Sequence, residues 1–403
     1  MSIDKNYREI DFFIEAIEQE YDLALQSLEK IGFDLEAAKL IGPIRKFYIK
    51  TSTFNKKINC CIYPVIFILM PIILLIYAAV FILKNLHLKK GSERCLPKKI
   101  YLHKSSDRYV KEVPAHEGKP DAILIVPFHN IPAGQWKEKI SLEELTSNLD
   151  YYKSLKLTFI TVLKIIKNNK RHLILYCLMA PNWYLLYSVL KKQAVDEVWI
   201  SNHYDRWAIL VDHLNVSITI VPHGSLNQTC YRMDGSFIFS YESHYKLRNV
   251  KKVFLIDGAS EADFKTLLRD VNCHPAFIRI SSSLKINRNI LSDSKKKLIL
   301  IIGSPTVMLR LFEILDRINN VYPQEFEIVY RPHPRDFPIS RKNFPKTITI
   351  LSDHDFIPNA DFVIDYGSSL KEEIMKISSA KIVGFDVYDP SSIDWIISDI
   401  ESD

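Results

Sequence analysis

Two short stretches decide the fold: Tyr330-Arg331-Pro332-His333-Pro334 and, about thirty residues later, Asp365-Tyr366-Gly367-Ser368-Ser369. The first follows the apolar run 326–330 and the second follows the apolar run 362–364, and short runs of this kind are typical of buried strands. In an open α/β sheet, ligands bind beyond the carboxyl ends of the strands. These stretches therefore predict an α/β sheet with a ligand site at its carboxyl edge.

The side chains that follow these two strands suit a phosphorylated ligand. Arg331 and His333 supply a guanidinium and an imidazole, and Ser368 and Ser369 supply two hydroxyls. Ser369 and Glu372 have the spacing of a capping box, which predicts that a helix begins at the serine pair. The free N–H groups at the start of that helix would face a nucleotide phosphate.

Strand and helix patterns alternate along most of the chain after residue 120. We predict strands at 122–126, 173–178, 197–200, 217–221, 253–256, 276–280, 298–302, 326–330, 347–351, 362–364 and 382–385. We predict helices at 142–167, 183–191, 206–214, 306–318, 370–377 and 392–400. Strands that alternate with helices form βαβ units and a parallel sheet.

A looser stretch, 227–248, separates two such alternating regions. We therefore predict two Rossmann-like domains, 121–240 and 250–390, with a cleft between their facing carboxyl edges. Residues 391–403 are predicted to form a C-terminal helix that folds back onto the first sheet.

The first 55 residues are predicted to be helical. Ile10, Ile14 and Ile17 begin an apolar series with spacings of three and four, which forms one face of an amphipathic helix. A second short helix is predicted at 34–41, where Gly42-Pro43 ends it. We expect a helical hairpin, residues 1–55, that packs on the main body, and docking of its apolar face on lipid is the alternative.

Residues 56–90 are predicted to be a membrane segment. The stretch 60–83 contains no charged side chain, and at ~1.5 Å per residue it is long enough to cross a bilayer core of roughly 30 Å. Lysines flank it on both sides, so the positive-inside rule gives no orientation. Pro64 and Pro71 leave three alternatives open, namely a single crossing, a re-entrant hairpin and a buried soluble helix.

Composition excludes several classes of protein. The chain of 403 residues is 25% charged and 47% hydrophobic, as in globular proteins. Residues 91–120 are predicted to form a polar connector. The net charge of +6 comes without a basic stripe interleaved with aromatic residues, so we expect no nucleic-acid partner. The six cysteines show no CxxC pair or metal spacing, and no GxGxxG or Walker sequence is present. We expect no metal site, dehydrogenase or ATPase.

Three motifs, in this order, resemble those of a known enzyme family. They are Pro222-His223-Gly224, Arg331-Pro332-His333-Pro334 and Asp365-Tyr366-Gly367-Ser368-Ser369. They resemble the motifs of the CDP-glycerol:polyol glycerophosphotransferases of teichoic-acid and capsule synthesis. The His-Pro and Ser-Ser pairs also look like those of bacterial sialyltransferases and polysialyltransferases. The chain departs from the polyol-phosphate pattern in two places. Gly367 is inserted before the serine pair, and the stretch Val221-Pro222-His223-Gly224-Ser225 stands where that family has Trp-His-Gly-Thr-Pro.

The resemblance covers residues 220–385 and implies the GT-B fold, in which two Rossmann-like domains enclose the cleft. It gives His223 the role of the catalytic base, and a histidine suits that role because its ordinary pKa lies near neutrality. His333 would hydrogen-bond the leaving phosphate as an imidazolium and stabilise its growing charge. The structural alternative for His333 is a strand-end histidine held by local hydrogen bonds, and that for His223 is a structural turn histidine.

Further residues complete the predicted site. Those expected to bind the donor nucleotide or its phosphates are Arg331, Ser368, Ser369, Gly303, Ser304 and Asp365. The alternative role for Arg331 is a salt bridge to a nearby carboxylate. The alternative role for the two serines is simple capping of the helix. Possible acceptor or accessory residues are His129, His203, Asp205 and Glu242, the last two because sialyltransferases use a carboxylate base.

The sequence therefore predicts a membrane-associated, metal-independent, inverting glycosyltransferase. Its donor would be a sugar or polyol phosphate on a cytidine nucleotide, its acceptor a cell-envelope glycan or a lipid-linked glycan, and no cofactor beyond the donor is expected. Because the donors are cytosolic, we expect the catalytic domains on the cytoplasmic face of a bacterial inner membrane. The alternatives are a nucleotide-sugar epimerase of the same architecture and an inactive membrane scaffold for polysaccharide assembly.

Overall fold

A computed structural model describes the chain in segments. The described residues are 7–29, 69, 72–73, 75–77, 79–80, 94–103, 110, 112–126, 136–201, 205–221, 229–231, 237–240, 245–256, 261, 264–265, 268, 274–280, 284–287, 296–303, 308–322, 325–332, 348–351, 356–365, 370–384 and 392–401. They divide into two compact units, one of residues 1–223 and 239–280 and the other of residues 224–238 and 281–403.

The first unit contains a seven-stranded sheet. Its strands are β1 (Lys99–His103), β2 (Ala122–Ile125), β3 (Glu138–Ser141), β4 (Glu197–Ile200), β5 (Ser217–Ile220), β8 (Val250–Leu255) and β9 (Ala276–Arg279). Their order is β3-β2-β1-β4-β5-β8-β9, and every pair is parallel. The chain runs outward from β1 to β3 and then returns to the other side of β1, so the sheet is doubly wound. Outside this sheet, two short strands, β6 (Thr229–Tyr231) and β7 (Phe237–Ser240), pair with each other, and β6 belongs to the second unit.

Four continuous α-helices belong to the described part of the first unit. They are α1 (Arg8–Glu29), α2 (Asn148–Lys167), α3 (Ala180–Lys192) and α4 (Arg206–His213). Short 3-10 helices are found at Ala115–Glu117, Leu142–Leu145 and Arg171–Met179. The largest buried side chains of this unit, Trp183, Trp199 and Tyr101, come from α3, β4 and β1.

The apolar face predicted for the N-terminal region is buried. Ile10, Phe13, Ile14 and Ile17 are almost inaccessible to solvent, and α1 packs against α2 and α4. The ring of Phe13 lies 5.3 Å from the ring of Trp183. This helix therefore docks on the protein body, as expected for residues 8–29, and the predicted helix at 34–41 lies outside the described residues.

The second unit contains a five-stranded parallel sheet. Its strands are β11 (Lys297–Ile302), β12 (Phe326–Arg331), β13 (Ile348–Ile350), β15 (Phe362–Asp365) and β16 (Lys381–Gly384), in the order β13-β12-β11-β15-β16. Two further strands, β10 (Lys285–Asn287) and β14 (Phe356–Pro358), form a separate parallel pair. The helices are α5 (Met308–Val321), α6 (Leu370–Ile377) and α7 (Ser392–Glu401).

Apolar side chains cover both faces of this second sheet. One face packs with α5 and α7 through a cluster that includes Ile299, Tyr330, Ile314 and Ile396. The other face packs with α6 through a cluster that includes Leu300, Val329, Val363, Leu370 and Ile374. Burial on both faces explains why these strands read as continuous apolar runs in the sequence.

Several sequence-based predictions were wrong in detail. The predicted strand 173–178 is the 3-10 helix Arg171–Met179, because its apolar side chains pack between helices and find no neighbouring strand. The predicted C-terminal helix folds onto the second sheet and not onto the first, since Ile396 and Ile400 lie in its core.

The domain bounds also differ from the prediction. The first sheet begins at β1, inside the segment predicted to be a connector, and it includes β8 and β9, which had been assigned to the second domain. Hydrogen bonding between strands decides membership of a sheet, and that pairing has no local signature in the sequence. The prediction of a mixed α/β fold with parallel sheets is confirmed.

The predicted membrane segment is described only in part. Its described residues between 69 and 80 are helical. Among the residues that the structure describes, a single helix, His172–Lys192, is long and apolar enough to cross a membrane, and 76% of its apolar window is buried in the protein. It is a different stretch from 56–90, and burial of this kind is also found for core helices of soluble proteins.

Candidate functional site

The second sheet has a topological switch point between β11 and β15. From β11 the chain runs to β12 and β13 on one side, and it then crosses to β15 and β16 on the other side. Helices that leave two such strands lie on opposite faces of the sheet, so a crevice opens at the carboxyl edge between them. The predicted stretches 330–334 and 365–369 begin at this edge.

Arg331 is the last residue of β12 and lies beside the end of β11. Its register partner on β11 is Ile302, and its carbonyl accepts a hydrogen bond from the N–H of Gly303 at 2.7 Å. Successive side chains of a strand point to opposite faces, so Arg331 shares the face of Val329, which is the face covered by α6. Only 5% of the arginine is exposed. The guanidinium group is thus held within the structure.

Asp365 occupies the matching position on the other side of β11. It ends β15, it is 2% exposed, and it follows Val363 by two residues, so it also lies on the α6 face. Two strand spacings, about 10 Å, separate the backbones of Asp365 and Arg331. The structure therefore places these two predicted residues at one edge, on one face, with the end of β11 between them.

Gly303 directly follows β11 at the centre of this edge and has no space for a side chain. A Cβ atom at this position would lie 2.3 Å from the hydroxyl oxygen of Tyr330 and 2.9 Å from the carbonyl oxygen of Arg331. Real Cβ atoms do not approach other atoms so closely. Glycine is therefore required here because the backbone of β12 and the ring of Tyr330 fill the space that a side chain would occupy.

Helix α6 begins directly after the second motif. Leu370 and Ile374 bury its inner face against the sheet, and a βα connection of only 366–369 brings the helix N-terminus to the carboxyl edge. The free N–H groups of a helix N-terminus favour anions. The prediction that a helix starts at the serine pair is confirmed in its position, while Ser368 and Ser369 themselves lie outside the described residues.

Sequence reasoning missed Glu373, which is 1% exposed on the inner face of α6. It follows Leu370 by three residues and precedes Ile377 by four, so its helical spacing already indicated the buried face. Arg331, Asp365 and Glu373 together carry a formal net charge of −1. Phosphate binding here would then require the helix N-terminus and His333 in addition to Arg331.

The remaining predicted site residues fall into two groups. His223, His333, Ser304, His129, His203 and Glu242 lie outside the described residues. Asp205 is described, and it caps α4, where its Oδ1 accepts hydrogen bonds from the N–H groups of Trp207 at 2.9 Å and Ala208 at 3.0 Å. This contact explains why an aspartate stands there, and it gives no support to a role as a catalytic base.

A metal site was not expected. Within the described segments, no three His, Cys, Asp or Glu side chains are grouped so that they could hold a metal ion.

Comparison with known proteins identifies no family. No family model matches the sequence, and no curated protein matches it. Among solved structures, MurG of Acinetobacter baumannii is similar over 75% of this chain and 83% of its own, with 14% identity and a TM-score of 0.31. The glycosyltransferase SnogD from Streptomyces nogalater is similar over 75% of this chain and 93% of its own, with 10% identity and a TM-score of 0.36.

The spinosyn rhamnosyltransferase SpnG is similar over 75% of this chain and 84% of its own, with 8% identity and a TM-score of 0.37. These identities and TM-scores are too low to carry a function over to this chain, so we argue function from its own residues.

Proposed function

We propose that this chain is a glycosyltransferase of the GT-B type that moves a sugar, or a polyol phosphate, from a cytidine nucleotide to a glycan or lipid-linked acceptor. The observation that carries the proposal is the switch point of the second sheet. There, Gly303 at the end of β11 lies between Arg331 and Asp365, and α6 begins beside it. This edge offers two features that suit a nucleotide phosphate, namely a helix N-terminus and a cation.

We base the proposed donor on the motif resemblance over residues 220–385. It supports a cytidine nucleotide because the His-Pro and Ser-Ser pairs match those of enzymes that use CDP-glycerol or CMP-sialic acid. We propose that Arg331, His333 and the start of α6 bind the phosphates of the donor. Gly303, Ser304 and Asp365 would form the rest of the donor site.

The chemistry requires a base and a group that stabilises the departing nucleotide. We propose that His223 removes the proton from an acceptor hydroxyl, whose oxygen then bonds to the donor carbon. The bond from that carbon to the phosphate oxygen breaks, the nucleotide leaves as an anion, and His333 hydrogen-bonds the charge that develops. With a polyol-phosphate donor, the acceptor oxygen would bond to phosphorus and CMP would leave. We propose no metal and no other cofactor.

The charge-free stretch 60–83 supports membrane association, because it is long enough to cross a bilayer core or to enter and leave it. We propose that this segment holds the catalytic units beside a lipid-linked or envelope acceptor on the cytoplasmic face of the inner membrane.

Nucleotide release tests the proposed reaction. The purified full chain is incubated with a bacterial membrane extract as acceptor and with CMP-sialic acid, CDP-glycerol or UDP-N-acetylglucosamine, and free nucleotides are separated by chromatography. We expect release of CMP from at least one cytidine donor, slowed about 10²-fold or more in His223→Ala and in His333→Ala. His116→Ala, a change at an exposed histidine, serves as the matched control and should keep the wild-type rate.

Two results would overturn the proposal. One is release from the uridine donor alone, which would remove the cytidine assignment. The other is a wild-type rate in His333→Ala, which would show that this residue does not act on the leaving phosphate.

A further inference from the structure

Large apolar side chains are exposed mainly in one part of the first unit. Twelve are exposed among the described residues, and nine of them lie in just two stretches. Five belong to the helical residues between 69 and 80, namely Leu69, Ile72, Leu75, Ile76 and Val80, and four belong to α2, namely Leu149, Tyr152, Phe159 and Leu163. Soluble monomers rarely expose apolar groups in such concentration, and a patch of this kind marks an interaction surface.

The four exposed residues of α2 form a stripe along its outer side. Their separations of three, seven and four residues place them on one helical face, with exposed fractions of 61% at Leu149, 67% at Tyr152, 49% at Phe159 and 41% at Leu163. The opposite side of α2 is buried through residues such as Thr158 and Val162. Since α2 is already anchored in the protein by this inner side, the outer stripe is not needed for folding.

The charges on the outer side of α2 are all positive. Lys153, Lys156 and Lys167 are exposed beside the stripe, and none of them forms an ion pair with another described residue. Asp150, the single acidic residue of α2, is 2% exposed and forms an ion pair with Lys192. An apolar stripe flanked by lysines, with no exposed carboxylate on the same helix, is complementary to a lipid surface with anionic headgroups.

The helical residues between 69 and 80 are joined to α2 by contacts of Tyr77. Its ring stacks near the ring of Tyr151 with 6.5 Å between centroids, and its hydroxyl donates a hydrogen bond to Asn182 on α3. The helical residues around Tyr77 therefore lie against the first unit beside α2. They belong to the stretch 60–83, which has no charged side chain, so the apolar surface of α2 continues into the segment proposed to enter the membrane.

We propose that the outer face of α2 is a membrane-docking surface that lies in the interface of an anionic phospholipid bilayer, and that it adjoins the described helical residues between 69 and 80, which belong to the segment proposed to enter the membrane. Leu149, Tyr152, Phe159 and Leu163 enter the boundary between headgroups and acyl chains, and Lys153, Lys156 and Lys167 contact lipid phosphates. This inference rests on the membrane association in the proposed function, and it adds that the first unit itself touches the bilayer.

Site-specific photocrosslinking tests this surface in the full chain. The photoreactive amino acid p-benzoylphenylalanine replaces Tyr152 or Phe159 and, as a matched control, the exposed Met375 of α6 in the second unit. Each protein is reconstituted into vesicles that contain radiolabelled phosphatidylglycerol, irradiated and separated by electrophoresis. We expect labelled lipid on the protein at positions 152 and 159, several-fold above the label at position 375. We also expect less label at these positions when Lys153, Lys156 and Lys167 are replaced by glutamine.

The outcomes separate this inference from the proposed function, because lipid labelling requires neither donor nor transfer. Equal labelling at positions 159 and 375, or none at 152 and 159, overturns the docking surface even if residues 60–83 anchor the chain. Crosslinks at 159 that join two protein chains also overturn it, since they would make this face a contact between copies.

Discussion

At the residue scale, Gly303 fixes the shape of the proposed donor edge. A methyl group at this position would collide with the hydroxyl of Tyr330 and with the backbone of β12. We predict that Gly303→Ala lowers the free energy of unfolding of the second unit by about 1–3 kcal/mol, the usual effect of inserting a group into a filled space. Denaturant unfolding measures the change.

A second substitution identifies the cause of this effect. Because the hydroxyl of Tyr330 is the nearest atom to the added methyl group, Gly303→Ala combined with Tyr330→Phe should recover part of the lost stability. Tyr330→Phe alone gives the reference. If Gly303→Ala were as stable as the wild type, the close approach of β12 to Gly303 would be incorrect.

His213 makes a separate prediction about pH at the residue scale. Burial lowers the pKa of His213 to about 4, although two carboxyls that favour the charged ring lie nearby, that of Asp212 and that of Glu15, whose Oε2 is 3.0 Å from Nε2. The ring of His213 stacks on Phe12 with 3.7 Å between centroids. An unfolded histidine titrates near 6.5, so between pH 6.5 and 4 the unfolded chain binds more protons than the folded chain. The stability due to the neutral ring is therefore full above pH 6.5 and is lost as the pH falls toward 4.

We predict that unfolding free energy drops over this window by on the order of 2 kcal/mol more in the wild type than in His213→Gln. Thermal or denaturant unfolding from pH 7 to pH 4 measures it, with His116→Gln at an exposed histidine as the control. Identical pH profiles for His213→Gln and the wild type would contradict a neutral, buried His213.

At the scale of single elements, α1 is an integral part of the first unit. The side chain of Phe13 is completely buried, and its ring contacts the rings of Trp183 and Tyr184 at 5.3 and 5.5 Å. We predict that Phe13→Ala costs about 3–5 kcal/mol of unfolding free energy, because it removes a buried ring and leaves a cavity. Phe159→Ala, at a half-exposed phenylalanine of α2, should change stability by less than about 0.5 kcal/mol.

Denaturant unfolding of both variants tests the docking of α1. Equal, small effects of the two substitutions would mean that α1 is not packed on the body as the structure has it.

The sequence predicted some elements closely and others not at all. Strand β4 and helix α6 match their predicted bounds, because each is an apolar pattern that ends at a polar segment or begins at a capping sequence. The stretch 171–179 did not match its prediction as a strand, because a short apolar run has no periodicity that separates a strand from a buried helix. Tertiary packing between α2 and α3 decided its conformation.

At the scale of the whole molecule, the two α/β units follow from the alternation of strands and helices. The membership of β8 and β9 in the first sheet does not follow from this alternation. Pairing of β5 with β8 joins residues about thirty positions apart across a loose stretch. The carboxyl edge of the second sheet was also predictable, since Arg331 and Asp365 each stand directly after an apolar run. Glu373 was missed because a buried acid within an amphipathic helix is read first as part of the polar face.

The central claim is that the switch point of the second sheet binds a cytidine nucleotide, and calorimetric titration tests it most directly. The full chain is titrated with CMP, CDP, UDP, GDP and ADP, alongside Arg331→Gln and the matched control Arg317→Gln, which removes an exposed arginine of α5. Unfolding midpoints of the unliganded variants show whether each is folded.

We predict that CMP or CDP binds the wild type and Arg317→Gln alike. Affinity should fall about tenfold or more in folded Arg331→Gln, because a charge-assisted contact to phosphate is lost. Tighter binding of UDP or GDP than of CDP, or equal binding of CDP by Arg331→Gln and the wild type, would contradict the assignment of this edge to a cytidine donor.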